Sequence, residues 1–119
     1  MINKSPRLYY ETKLHASRKN DRHIGVYIIE HLPTGKFYIG STQCIYTRVH
    51  QHMRALKNGV HRNTSLQALF SYIEDFLVTY TRLATIEEAT RLEQLFLDEN
   101  VGDERMLNKS LNAYNGLDG

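Results

Sequence analysis

The sequence predicts a small α/β domain of the α+β type, with a mostly antiparallel three-stranded sheet flanked by helices in the order ββααβα. Two observations carry that expectation. The stretch GVYIIEHLPTGKFYIG, Gly25 to Gly40, holds two β-rich runs on either side of a Pro-Gly turn. Beyond it, apolar residues recur at helical spacing, and Thr-x-x-Gln and Thr-x-x-Glu patterns at Thr64 and Thr85 mark two further helix starts.

Each element follows in order. Ile24–His31 is rich in Val, Ile and Tyr and reads as the first strand. Leu32-Pro33-Thr34-Gly35 places Pro and Gly where a type I turn favours them, and Lys36–Ser41 returns as the second strand. Ile45, Val49, Met53, Leu56 and Val60 repeat at helical spacing, predicting a helix over 44–57 that ends near Asn58-Gly59. A second helix is expected from Thr64, with Gln67 completing a capping box and Leu66, Leu69, Phe70 and Ile73 buried. Phe76–Leu83 alternates as a third strand, and Thr85 with Glu88 opens a last helix running to about Asn100. The tail, Met106–Gly119, reads as loop or short helix.

At 119 residues the chain suits one compact domain. A single cysteine, Cys44, excludes an internal disulfide framework and a four-cysteine zinc site, and suits a reducing compartment. No run of about 18 apolar residues is present, so no membrane span is expected; the cytoplasm of a bacterium or a phage-infected host is the anticipated location. Charge is uneven. Residues 1–22 hold six Lys/Arg, Arg18, Lys19 and Arg22 among them, against two acidic residues, while the rest hold nine against eleven. The chain therefore divides into a basic arm, 1–22, suited to phosphate contacts, and a domain over 23–119.

Within the hairpin, a turn that sets Leu32 opposite Gly35 puts Ile29 opposite Tyr38 and Tyr27 opposite Gly40. Both phenols then lie on one face, about 7–8 Å apart, and Gly40 leaves space in front of the Tyr27 ring. A slip of one residue would send them to opposite faces. Arg48 and His52, four apart, share one side of the first helix at the rim of its apolar stripe, whereas His50 points elsewhere. Glu93 falls inside the apolar arc formed by Ile86, Ala89, Leu92, Leu95, Phe96 and Leu97. A carboxylate buried there needs a cation or strong donors, in a functional site or in a structural ion pair.

Gly25-Val26-Tyr27, ten residues, Tyr38-Ile39-Gly40, then Arg48 and a distal helical Glu93 together resemble the GIY-YIG nuclease family, over roughly residues 23–116. Val26 stands where isoleucine is usual, a conservative β-branched exchange. The resemblance implies that Tyr27, Tyr38, Arg48, His52 and Glu93 surround a scissile phosphate, joined by an asparagine, best matched by Asn108, with Asn112 and Asn115 as alternatives. It implies a metal-dependent endonuclease acting on DNA as a monomer or homodimer. Glu93 would hold one divalent ion, Mg²⁺ or Mn²⁺, and Tyr27 is the candidate general base, assisted by Tyr38 or His52. Gly40, Ser41, Lys36, His61, Arg62 and Asn63, with Arg18, Lys19 and Arg22, are the candidate DNA contacts. Two other readings are a non-cleaving nucleic-acid-binding module of the same fold and a nuclease built on His50, His52 and His61. The spacing of those histidines does not suggest a shared metal, and His61 is expected near DNA at most.

Overall fold

A computed structural model describes residues 11–12 and 23–113. Its sheet has the order β1-β4-β2-β3, from β1 (Glu11–Thr12), β2 (Gly25–His31), β3 (Lys36–Thr42) and β4 (Phe76–Arg82). Helices α1 (Ile45–Asn58) and α2 (Thr64–Ala68) follow the hairpin, and α3 (Ile86–Glu99) follows β4. The expected ββααβα order is therefore present, with one addition. Two residues of the arm, Glu11 and Thr12, pair with Tyr80 and Thr79 as a short fourth strand. The remainder of the arm, Arg18, Lys19 and Arg22 included, lies outside the described residues.

The hairpin has the predicted register: Tyr27 opposes Gly40, Ile29 opposes Tyr38, and His31 opposes Lys36. The His31 carbonyl closes the turn by accepting from both Thr34 and Gly35, so the turn begins one residue earlier than the Leu32–Gly35 pattern suggested. Strand β4 pairs with the other edge of β2, setting Tyr80 beside Tyr27 and Val78 beside Ile29. Alternation then sorts the side chains into two layers. Tyr27, Ile29, Tyr38 and Tyr80 pack with Ile45, Val49 and Leu56 of α1 and Leu66 of α2. Val26, Ile28, Phe37 and Ile39 pack on the opposite face with Ala89, Phe96 and Leu97 of α3.

Two glycines permit close approaches. A Cβ at Gly40 would overlap the ring and hydroxyl of Tyr27, and one at Gly25 would meet the Thr81 carbonyl of the neighbouring strand. Gly40 is thus the seat of the Tyr27 ring, as the register implied.

The middle of the chain departs from the sequence reading. Asn63, not Thr64, caps α2: its side-chain oxygen accepts from the Leu66 N–H at 3.0 Å. Gln67 is used elsewhere, its Oε1 accepting from the His61 N–H and its Nε2 donating to the Leu56 carbonyl. Helix α2 stops at Ala68, because Leu69 and Phe70 donate to carbonyls only three residues back and the turn tightens. Ile73, expected in that helix, opens a single 3₁₀ turn, Ile73–Asp75, that leads into β4. Val60 and Leu95, placed on apolar stripes by spacing, are 67% and 49% exposed. At Thr85 the expected cap forms: its hydroxyl accepts from Glu88 N–H, and the Glu88 carboxylate accepts from Ala84 N–H.

After α3 the chain runs along the free edge of β3. Phe37 N–H donates to the Arg105 carbonyl and Leu107 N–H to the Phe37 carbonyl, each at 2.8 Å. Asn108 continues the ladder with its side chain. Its Oδ1 accepts from Ile39 N–H at 2.9 Å, and its Nδ2 donates to the Ile39 carbonyl at 2.7 Å. Replacing Gly40 by alanine is expected to displace the Tyr27 ring and lower stability by about 1–3 kcal/mol, as core overpacking does. A shift of the urea midpoint at unchanged m-value would measure it; an unshifted midpoint would show that the ring is not seated there.

Candidate functional site

A cleft of about 520 Å³ opens at the β3 edge, lined by Tyr38, Arg48, Gln51, His52, His61, Arg62, Glu93, Asn108, Lys109 and Ser110 among others. Its walls come from both faces of the sheet. Tyr38 and α1 belong to one side. Glu93 stands on α3 behind the other and lines the cleft at the β3 edge, where among the described residues no further strand follows.

Behind His52, which lines the cleft, Tyr27 is fully buried. Its Oη lies 2.7 Å from His52 Nε2. The His52 ring is flanked by both phenols, with centroids 5.3 Å from Tyr27 and 5.4 Å from Tyr38. On its far side, His52 Nδ1 lies 2.7 Å from His61 Nε2, and His61 Nδ1 accepts the Asn63 backbone N–H at 3.0 Å. Arg48 donates to Gln51 Oε1 at 3.0 Å, and its positive charge acts on the Tyr27 phenol. His50 turns away as expected, its Nδ1 at 2.8 Å from the Tyr46 carbonyl oxygen.

These groups are held in their neutral forms. Burial raises the Tyr27 phenol well above its ordinary value, Tyr38 adds to that, and Arg48 opposes it. Burial likewise lifts Tyr38 to about 12, against the pull of Arg48. His52 is lowered to about 3, by burial first and then by the positive charge of Arg48, and the same two causes lower His61. Glu93, 3% exposed, is raised to about 7 by burial, partly offset by the hydrogen bond its Oε1 accepts from the Ser41 hydroxyl. The demand for a partner read from the helical arc is thus met by a hydroxyl on the α3 face of β3.

The structure brings together Tyr27, Tyr38, Arg48, His52, Glu93 and Asn108 as expected, but it gives several candidates other surroundings. Ser41 is fully buried and its hydroxyl is engaged by Glu93. Asn63 is buried too, its oxygen capping α2 and its Nδ2 donating to the Leu107 carbonyl. Asn108 spends both ends of its amide on Ile39. Lys36 pairs with His31 at the turn end of the hairpin and does not line the cleft. Asn112 lines the cleft, and Asn115 lies outside the described residues. Arg62 lines the cleft and is exposed. Lys109, which spacing did not single out, joins it there. The largest revision concerns His61. Rather than sitting at an outer lip, it is 8% exposed and bonded directly to His52. The one available signal was the Asn58-Gly59 stop of α1, which turns the chain back toward that helix.

Glu93 is the cleft's single carboxylate, and no group of three metal-ligating side chains exists among the described residues. One hard carboxylate facing open space fits Mg²⁺, which keeps most of its waters and takes phosphate oxygens as further ligands. It does not fit zinc, which takes at least three protein ligands. All four ring nitrogens of His52 and His61 are engaged with one another, with Tyr27 and with Asn63, and His50 turns toward Tyr46, so the three histidines do not converge as ligands.

The opposite shifts of His52 and Glu93 give a signed prediction for the metal-free protein. A histidine lowered in the fold supports stability above about 6.5 and loses it as pH falls toward 3. A glutamate raised in the fold supports stability below about 4.5 and loses it as pH rises toward 7. Between these limits the two slopes cancel, and His61 adds its own loss toward acid. Glu93→Gln should therefore match the parent near pH 4.5. It should become more stable than the parent by about 1.4 kcal/mol per pH unit up to about pH 6.5. Urea unfolding in EDTA across that range checks it; parallel curves for the two proteins would contradict it.

Comparison with known proteins agrees with this geometry. Residues 23–102 match the family model described as the GIY-YIG catalytic domain. Among solved structures, the catalytic domain of the homing endonuclease I-TevI superposes with TM-score 0.59 at 22% identity, covering 73% of this chain and 98% of that one. A glutamate-to-alanine variant of the I-TevI catalytic domain gives TM-score 0.60 at 20% identity, covering 74% and 94%. No curated protein sequence matches significantly. The matched span, which holds both strands of the hairpin, Arg48 and Glu93, makes this chain a member of the GIY-YIG catalytic-domain family and, by class, a DNA endonuclease.

Proposed function

We propose that this chain hydrolyses DNA phosphodiester bonds in a divalent-metal-dependent reaction at the β3-edge cleft. The observation that carries the reading is the convergence of Tyr38, Arg48, His52 and a buried Glu93 on one cleft, with the Tyr27 phenol bonded to His52 behind them.

Arg48 presents a planar fork of donors suited to the non-bridging phosphate oxygens, and low local dielectric strengthens its hold on the charge that develops there. Arg62 and Lys109 on the rim would hold flanking phosphates. Glu93 would hold Mg²⁺ or Mn²⁺, with Ser41 keeping one carboxylate oxygen in place. Bound there, the ion supplies positive charge to the phosphate and its leaving 3′-oxygen. Tyr27 Oη accepts the proton of the attacking water. This oxygen is hydrogen-bonded to His52, and the positive charge of Arg48 favours its anionic form. Tyr27 is buried and Tyr38 is the phenol that lines the cleft, so the attacking water would approach Oη from the cleft side. Burial keeps the anionic fraction small at neutral pH. The rate should accordingly climb about tenfold per pH unit toward the phenol range.

Supercoiled plasmid with Mg²⁺ provides the test. The parent protein is expected to nick or linearise it. Tyr27→Phe should lower kcat roughly 10²- to 10⁴-fold, and Arg48→Ala roughly 10²- to 10³-fold. Glu93→Ala should abolish Mg²⁺-dependent cleavage while DNA binding persists. A larger loss in Tyr38→Phe than in Tyr27→Phe would move the base to Tyr38. Binding without cleavage by the parent, on duplex, single-stranded and branched DNA alike, would leave a binding module.

A further inference from the structure

We infer that His61 is a positioning residue that fixes the proton on His52 Nε2, so that the histidine row donates to Tyr27 and cannot take a proton from it. The inference deepens the proposed reaction and rests on that reading for its catalytic consequence.

The row has a direction because of what stands at its end. A backbone N–H can only donate, so His61 Nδ1, 3.0 Å from Asn63 N, must offer a lone pair. A neutral imidazole carries one N–H, which places the His61 proton on Nε2. That proton points at His52 Nδ1, 2.7 Å away, which must then accept. The His52 proton is left on Nε2, facing Tyr27 Oη at 2.7 Å. Each assignment follows from the one before, and the first comes from an amide that cannot reverse its role. Burial beside Arg48 keeps both imidazoles neutral, as the argument requires.

Asn63 can serve as this anchor because its place is fixed three times over. Its side-chain oxygen caps α2, its Nδ2 holds the Leu107 carbonyl, and the adjoining His61 N–H is held by Gln67. The consequence falls on Tyr27. With His52 donating, the phenol oxygen receives an N–H, and its own proton is directed elsewhere. A phenolate is stabilised by the same donor and by the positive charge of Arg48. If His52 carried its proton on Nδ1, its Nε2 lone pair would instead draw the Tyr27 proton away from the cleft, and the phenolate would lose a donor.

The decisive measurement needs no substrate. In ¹⁵N-labelled protein at pH 7, long-range ¹H–¹⁵N correlation spectra should show His52 and His61 both as the Nε2–H tautomer. A His52 in the Nδ1–H form, or protonated on both nitrogens, overturns the inference. His61→Phe keeps a ring and removes both nitrogens. It should leave His52 in a mixture of tautomers and lower kcat roughly 10- to 100-fold with KM little changed, the worth of one hydrogen bond to a charged group. A His61→Phe protein with an unaltered His52 spectrum overturns the inference equally, and should that variant fail to fold, the parent spectrum still decides. The two readings fail separately. Correct tautomers in a protein that cuts no DNA refute the nuclease chemistry alone, and cleavage by a protein with the opposite tautomer refutes the row alone.

Discussion

The structure depends on one continuous run of hydrogen bonds that links β2, α1, α2 and β3 around the cleft. It starts at Tyr27 on the central strand, passes through His52 on α1 to His61 after that helix, and reaches Asn63 at the start of α2. From Asn63 it continues to the Leu107 carbonyl, and Leu107 donates in turn to Phe37 on the edge strand. The run therefore leaves the sheet on β2 and returns to it on β3. Short loops and a five-residue helix have little packing of their own to hold a geometry. Their positions here are set by directional contacts between groups that are nearly all buried, where an unpaired donor or acceptor costs about 1–3 kcal/mol.

Electrostatics follow from the same burial. The phenols, the imidazoles and Glu93 are all biased toward neutral forms, which leaves Arg48 as the charge that pulls on nearly every group around it. A phosphate entering such a place meets a cation whose field is little screened by water. Glu93 is the exception that needs a counter-charge once ionised, since among the described residues its hydrogen-bond support is a neutral hydroxyl. A carboxylate so placed keeps its proton until a positive charge is brought up beside it.

What the sequence revealed and what it hid divide along physical lines. The hairpin was legible because strand alternation has period two and a short turn leaves little choice of register, so Tyr27, Tyr38 and Gly40 could be placed before any coordinates. Glu93 was legible because a carboxylate in an apolar arc is an anomaly that spacing exposes. Its partner was not, since Ser41 lies on the strand face opposite the phenols and nothing local links the two. Thr64 with Gln67 imitated a capping box, yet Asn63 is as good a cap, and Gln67 found better-placed partners in His61 and Leu56. The contact of His61 with His52 depends on the path of a five-residue turn, which no periodicity describes. Asn108 was assigned to the site by resemblance, and the structure gives it a different bond: its amide copies the donor and acceptor of a backbone unit along β3.

That last substitution of side chain for backbone explains why the site is where it is. An exposed sheet edge is ordinarily a hazard, because its unpaired N–H and C=O groups invite another strand. Here the edge is closed only in part. Residues 105–107 pair with Phe37 as a backbone would, and Asn108 satisfies Ile39 with a single side chain. A full neighbouring strand would have covered β3 to its end and separated the two faces of the sheet. Among the described residues this closure stops at Ile39, short of the strand's end at Thr42. There Glu93 from one face shares a cleft with Tyr38, Arg48 and His52 from the other. An incomplete edge thus lets a carboxylate and a phenol from opposite sides of one strand line the same cleft.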